Sequence, residues 1–188
     1  MNTYRKELVG VAQFLKDATG IKVSIPDVKL SDRISDIEEY SFDGNKSSIL
    51  INLEYLGKYE QKTGQGISVN MLLAHSFFHH VQTVLKINYA RIAKKLILKA
   101  MGKATLKRRN LVKEASANLI ESSAMFFACA YFVRGRDRKI RIIKMLKQEA
   151  YLPPPQKHIC GNGLLIAYLR DHSINQTLKT MLPYSAAH

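Results

Sequence analysis

The sequence predicts an α+β fold, with a small sheet confined to the first third of the chain and helices in most of the rest. Two observations predict it. Short apolar runs separated by turn residues lie before residue 55, whereas from residue 68 onwards apolar residues recur at helical spacing. The chain has 188 residues, of which 46% are hydrophobic and 23% charged. This length and composition are typical of one globular domain with a sizeable core.

The first third is predicted to contain one helix and three short strands. Residues 3–20 form an amphipathic helix, because apolar residues stand at 8, 11, 12 and 15 and Gly20 can end it. Residues 21–25 (IKVSI) are predicted to form a strand that stops at Pro26. Two further strands are expected within 34–55, on either side of the turn residues DGNKS.

The remainder is predicted to be helical after a loop or frayed turn at 57–66. Ser68 can cap the first of these helices. A basic, mostly helical connection with a break near Gly102 leads to a long second helix, and three prolines at 153–155 end the third. The four helices are predicted at 69–87, 106–133, 139–152 and 161–173.

Positive charge is concentrated in the second half of the chain. Residues 1–85 hold 9 Lys/Arg and 10 Asp/Glu, whereas residues 86–188 hold 20 Lys/Arg and 5 Asp/Glu. This asymmetry indicates either an acidic partner such as nucleic acid or the solvated faces of long helices.

The cysteine content and the N-terminal residues indicate a reducing compartment. Two cysteines, Cys129 and Cys160, cannot build a disulfide framework, and the first residues lack the apolar core of a signal peptide. The most apolar window, residues 115–133, contains Asn118 and Glu121, so it is predicted to be a buried helix and not a membrane span. We therefore expect a cytoplasmic protein.

A histidine pair at residues 75 and 79 lies within the helix predicted at 69–87. Positions four apart lie one helical turn apart on nearly one line, so both imidazoles can reach one ion. Zinc is commonly held by three protein ligands of this kind. Two histidines within a core are the alternative interpretation.

A third ligand would come from the long helix at 106–133. Glu121 lies among apolar and small residues, where an ionised carboxylate is costly unless it is paired or binds a metal. Glu114 lies nearer the basic residues and is easier to explain as a solvated side chain. Glu121 is the first candidate and Glu114 the second.

The run LLAHSFFHHVQ at 72–82 resembles the active-site helix of the zincin metallopeptidases, whose motif is His-Glu-x-x-His. It is most similar to the short gluzincins, including the minigluzincins. The run ESSAMFFA is similar to their Glu-x-x-Ala-x-x-Phe-Ala pattern, and EASAN at 114–118 also matches a shorter version of it. The resemblance spans roughly residues 20–130, and the order of elements agrees with it.

The resemblance implies a zincin-like fold in which a small mixed sheet packs on an active-site helix and a glutamate helix. Residues 1–150 would form the catalytic-type domain and 151–188 a helical extension of it. It implies one zinc ion, held by the two histidines and Glu121, and a peptide or protein substrate. In this family the glutamate after the first histidine is the general base.

That position is occupied by Ser76, which is expected to face the cleft. A hydroxyl has no useful basicity near neutral pH, so the sequence predicts an inactivated peptidase or a pseudo-enzyme that still holds metal. Neighbouring helical positions point about 100° apart, so His75 cannot readily activate Ser76 as a nucleophile.

Other functions stay open. The zincin scaffold could bind nucleic acid through basic residues of the region 86–147, although no nucleic-acid-binding motif is visible. It could also bind a peptide without cleaving it, beside an edge strand formed by residues 47–53. A second metal cluster of His158, Cys160 and His172 is a weaker possibility, and His80 is expected to be structural. The candidate nucleic-acid contacts are Lys94, Lys95, Lys107, Arg108, Arg109, Arg134, Arg136 and Arg138.

Overall fold

The computed structural model describes residues 3–43, 46–64, 66, 68–102, 109–148 and 158–182, without the side chains of residues 109, 148 and 158–160. The protein is α+β and mostly helical with a small mixed sheet, as the sequence predicts. In chain order the elements are α1 (Thr3–Thr19), β1 (Asp27–Leu30), β2 (Glu38–Asp43), β3 (Lys46–Ile51), α2 (Leu53–Thr63), α3 (Val69–Val84), α4 (Tyr89–Met101), α5 (Arg109–Phe132), α6 (Arg138–Gln148), α7 (His158–Asp171) and α8 (Ile174–Thr180).

The sheet has the strand order β1-β3-β2. β1 pairs with β3 in parallel, and β2 pairs with β3 in the antiparallel sense. Two of the predicted strands, β2 and β3, are thereby confirmed, while the middle of their turn lies outside the described residues. β3 is the central strand and buries Ile49 and Ile51, whereas β2 lies at an edge and contacts α3.

The strand predicted at 21–25 is wrong, because the first strand begins only after Pro26. Residues 21–25 do alternate, with Ile21, Val23 and Ile25 packed against the core. They form no ladder with β3, which pairs instead with the residues that follow Pro26. The alternation of apolar residues at 21–25 therefore reflects packing of every second side chain against the core, and not pairing within the sheet.

A regular helix, α2, replaces the loop or frayed helical turn predicted at 57–66 and the predicted end of the preceding strand. The side chain of Asn52 accepts a hydrogen bond from the backbone N–H of Tyr55, which caps the first turn. Gly64 ends the helix in the left-handed conformation, with φ of 67°. Leu56 then packs with Ile37 and Leu72 in a small cluster of its own.

The long helix α5 is the centre of the fold, because it packs against α3, α4, α6 and α7. Phe127 of α5 stacks on Phe78 of α3, with ring centroids 4.8 Å apart, and its ring lies 5.6 Å from that of Phe14 in α1. All three elements therefore share one core. This packing fixes the relative position of the two helices in which the candidate ligands were predicted.

The C-terminal part forms two helices where one was predicted at 161–173. Ser173 and Gln176 make a reciprocal capping box that starts α8. Leu165 and Leu169 of α7 and Leu178 of α8 belong to the main core. The predicted helix ends at 106–108 and 149–152, and the prolines at 153–155, lie outside the described residues.

None of the described helices is long and apolar enough to cross a membrane. The apolar window at 115–133 is the buried part of α5, as predicted.

The contact between α7 and α5 is close at Gly161, where an added Cβ would lie 2.9 Å from the carbonyl oxygen of Asn118 and would also meet Ser122. We expect Gly161→Ala to lower the free energy of unfolding by about 1–3 kcal/mol through overpacking. Gly163, in the same helix, has nothing within 4 Å of such a Cβ. Gly163→Ala should therefore stabilise the protein by up to about 1 kcal/mol, because alanine favours helix. Urea unfolding of both variants measures this difference, and equal effects would contradict the close approach.

Candidate metal centre

Two histidines of α3 and one glutamate of α5 converge on one point between the helices. The Nε2 atoms of His75 and His79 lie 3.6 Å and 3.4 Å from Oε2 of Glu121. One ligand atom from each of the three residues lies within 4.8 Å of the other two, so the group could hold a metal ion. His75 is buried, and the side chains of His79 and Glu121 are 18% and 38% exposed. The group therefore combines a buried inner side with an opening to solvent.

The two N···O separations are close to those around a tetrahedral ion. Two ligands that each lie about 2.0–2.1 Å from such an ion are about 3.3–3.4 Å apart, which is close to both N···O distances. Nε2 of His75 is buried and has no hydrogen-bond partner among the described residues. A buried nitrogen without a partner is unfavourable, and a cation at this point would satisfy it.

Glu38 of β2 determines the tautomer of His75. Its Oε1 lies 2.7 Å from Nδ1 of His75, and its side chain is only 11% exposed. An ionised carboxylate can only accept hydrogen bonds, so Nδ1 donates. This tautomer leaves the lone pair of Nε2 to face Glu121, and imidazole ligates metal through such a nitrogen.

Gln82 performs the same task for His79. Its Oε1 lies 2.8 Å from Nδ1 of His79, and its amide nitrogen donates to the Ile120 carbonyl oxygen at 2.7 Å and to Ser123 Oγ at 3.1 Å. Ile120 is adjacent to Glu121 in α5. Gln82 therefore orients His79 and holds α5 in the register that places Glu121 opposite it.

Further hydrogen bonds and charge support this arrangement. The hydroxyl of Tyr89 lies 2.8 Å from Ser123 Oγ, and burial raises the pKa of Tyr89, so the phenol stays protonated. Burial disfavours protonation of His79, but hydrogen bonding and charge from Glu121 outweigh burial and raise its pKa. A site that attracts a proton in this way also attracts a metal cation.

Ser76 does not face the cleft, which corrects the expectation from the motif. The residue is 1% exposed, and its hydroxyl donates to Oε2 of Glu38. Glu38 approaches from the edge strand and draws this hydroxyl into the space between α3 and β2. A substitution at Ser76 would therefore disturb buried contacts.

The same contacts argue against Ser76 as a nucleophile. In a serine hydrolase the histidine stands between the serine and the acid. Here the acid, Glu38, stands between Ser76 and His75. His75 directs its other nitrogen toward Glu121, so this histidine is not placed to deprotonate the serine hydroxyl.

The three residues predicted to be ligands lie together in the structure, whereas the side chains that hydrogen-bond the two histidines were not predicted. Glu114, the second choice for the third ligand, is exposed and lies outside the group. Gln82 stands three residues after His79 on the same helix face, so its role was readable from spacing. Glu38 contacts His75 across 37 residues of chain and has no local signal.

The other titratable candidates have structural contacts. Both ring nitrogens of His80 are occupied, Nε2 by Ser24 and Nδ1 by the Tyr40 hydroxyl, so its predicted structural role agrees with its contacts. Cys129 is a buried free thiol, and burial raises its pKa to about 12. His172 stacks on Tyr168, while the side chains of the other two members of the predicted second cluster lie outside the described residues.

The predicted nucleic-acid contacts divide into several groups. Lys94 and Lys95 of α4 are exposed, as are Arg134 and Arg136. Arg138 is half-buried; it donates to the Ala130 carbonyl oxygen, and burial lowers its pKa, so it serves the fold first. Lys107, Arg108 and the side chain of Arg109 lie outside the described part of the chain.

The edge strand expected at residues 47–53 is also corrected, since β3 is paired on both sides. β2 is the edge strand beside the site. Ile37 and Asn52 are a hydrogen-bonded pair, so the backbone groups of Glu38, Tyr40 and Phe42 point away from β3. An extended peptide could therefore pair only with β2 on this side of the sheet.

Comparisons with known proteins give no relatives for this arrangement. The chain matches no protein-family model, and no curated protein or solved structure is significantly similar to it. The residues themselves are therefore the basis for any functional proposal.

Two glutamates on α5 give a matched test of the metal centre. Glu121→Gln removes a ligand, so we expect its Co²⁺ or Zn²⁺ affinity to fall by more than the ~10–100-fold typical of lost outer partners. Glu114→Gln makes the same change on an exposed turn of the same helix and should bind metal like the wild type. Titration calorimetry compares the two, and equal affinities would exclude Glu121 as a ligand.

Proposed function

We propose that this protein is a zincin-like zinc protein that has lost peptidase chemistry and keeps the metal centre. The observation that carries the proposal is the convergence of two imidazole Nε2 atoms on Glu121, with both Nδ1 atoms held by other side chains. Such outer partners are typical of metal-ligating histidines. The two-histidine, one-glutamate ligand set is also the one that zinc has in gluzincins.

The contacts of Ser76 and Glu38 support the second half of the proposal. When bound, zinc supplies Lewis acidity, and hydrolysis also needs a group that takes and delivers a proton. Ser76 is buried and bonded to Glu38, and Glu38 lies at the Nδ1 side of His75, away from Glu121. Neither side chain is placed to accept a proton at the open side of the site.

The proposed role is then to hold a peptide or protein segment beside the metal without cutting it. At Glu38, Tyr40 and Phe42, β2 offers backbone groups that no described strand pairs with, and extended peptides bind to such edges by strand addition. Glu38 joins this edge to the metal centre, since the same residue bonds His75.

Zinc content tests the proposal directly. We expect one zinc ion per chain in protein purified without chelator, and little in His79→Ala, because the mutation removes a ligand. His172→Gln, which changes a histidine stacked on Tyr168, should keep its zinc. Elemental analysis measures all three.

Peptide cleavage completes this test. The zinc-loaded wild type should leave a broad library of unstructured peptides intact, as judged by mass spectrometry. A wild type that binds no zinc after supplementation, or that cleaves peptides in a zinc-dependent manner, would contradict the proposal.

A second candidate function is binding of nucleic acid by the basic half. α4 and α6 contain nine Lys/Arg and no Asp/Glu. Most of these side chains are exposed, among them Arg91, Lys94, Lys99 and Lys144. Such surfaces bind phosphate backbones without reading sequence.

Salt dependence distinguishes this function from an inert charged surface. If α4 binds duplex DNA, the double variant Lys94→Gln/Lys95→Gln should bind more weakly and show a smaller salt slope than the wild type in a gel-retardation series. The control Lys22→Gln/Lys29→Gln removes two exposed lysines from the first third and should match the wild type. No retardation at about 50 mM salt would leave only a solvated surface.

A further inference from the structure

Glu38 stands where the two halves of the proposed site meet. We infer that this residue, delivered by the edge strand, occupies the space beside position 76 that a glutamate in the helix motif would need, and that it acts as a positioning residue for His75. The inference rests on the proposed zinc function and deepens it. It assigns to β2 a carboxylate that neither the helix motif nor the ligand set contains.

Both carboxylate oxygens of Glu38 accept hydrogen bonds from the histidine motif of α3. Oε1 accepts from Nδ1 of His75 at 2.7 Å, and Oε2 accepts from the Ser76 hydroxyl. A carboxylate with a side chain only 11% exposed needs such donors to remain favourable. The small Ser76 side chain supplies one of them and also leaves room for Glu38 to approach the helix.

The charge of Glu38 disfavours a second carboxylate beside it. A glutamate at position 76 would project from α3 into the space that Glu38 occupies. Two carboxylates there would repel each other, because like charges in a poorly solvated space disfavour each other strongly. The buried space beside position 76 therefore holds a single carboxylate. The strand supplies it as Glu38, and the helix supplies only the hydroxyl of Ser76.

The position of Glu38 behind His75 is suited to orienting that histidine and not to catalysis. A hydrogen bond from Nδ1 extends outward from the imidazole ring, and Nε2 lies on the other side of that ring. Glu38 is thus behind His75 relative to Glu121 and does not reach the ligand group. It can fix the ring orientation and increase the basicity of Nε2, as carboxylate partners of metal-binding histidines do.

A set of variants tests the positioning role by zinc affinity and by the visible absorption of bound Co²⁺. Glu38→Ala should weaken zinc binding by ~10–100-fold and alter the Co²⁺ spectrum, because the orientation of His75 is released. Glu38→Gln keeps an acceptor for Nδ1 and should lose less. The control is Glu39→Ala, the next residue of β2, which is exposed and points to the opposite face of the sheet.

A double-mutant cycle in the unfolding of the metal-free protein tests the exchange of carboxylates. Ser76→Glu should lower the unfolding midpoint, and adding Glu38→Ser, which vacates the space and removes the second carboxylate, should recover most of that loss. Additive effects of the two changes would overturn the exchange. This cycle does not depend on metal binding.

The outcomes also separate this inference from the proposed function. A wild type that binds zinc, together with a Glu38→Ala variant of equal affinity, would overturn the role of Glu38 and leave the zinc site standing. A wild type that binds no zinc would overturn both. If Glu38→Ala does not fold, ¹⁵N chemical shifts of His75 in the metal-free wild type decide: a proton on Nδ1 supports the inference, and an unprotonated Nδ1 overturns it.

Discussion

The packing of α3 on α5 is the constraint on which the rest of this protein depends. Phe78 stacks on Phe127, and Gln82 bonds the α5 backbone at Ile120. The first contact fixes the distance between the helices, and the second fixes the register of one along the other. A shift of α5 by one residue would turn Glu121 by about 100° away from the histidines. The packing of α3 on α5 and the buried amide of Gln82 therefore together determine where the three candidate ligands meet.

Helical spacing explains how much of this could be read from the sequence. His75, His79 and Glu121 were found because an i, i+4 pair and a carboxylate in an apolar helix are visible within short windows. The choice between Glu121 and Glu114 depended on apolar neighbours, and burial of the surrounding turns of α5 supports that choice. Gln82 was within reach of the same reasoning, since it follows His79 by one turn.

The features that escaped prediction are those decided between distant segments. Residues 21–25 have the alternation of a strand, but they stay outside the sheet because β3 pairs with the residues that follow Pro26. Which strand lies at the sheet edge is likewise set by pairing order and not by composition. Glu38 belongs to both cases, because its contacts with His75 and Ser76 exist only once the edge strand has been placed beside α3.

Glu38 has a consequence for cooperativity. His75 sits between β2 and α5, bonded to Glu38 on one side and facing Glu121 on the other. An ion at this point would crosslink α3 and α5, and the hydrogen bond between Glu38 and His75 would extend that link to β2. Because the ion binds the native state alone, it would stabilise that state by mass action. Opening of the sheet edge and separation of the helices would then become one event instead of two.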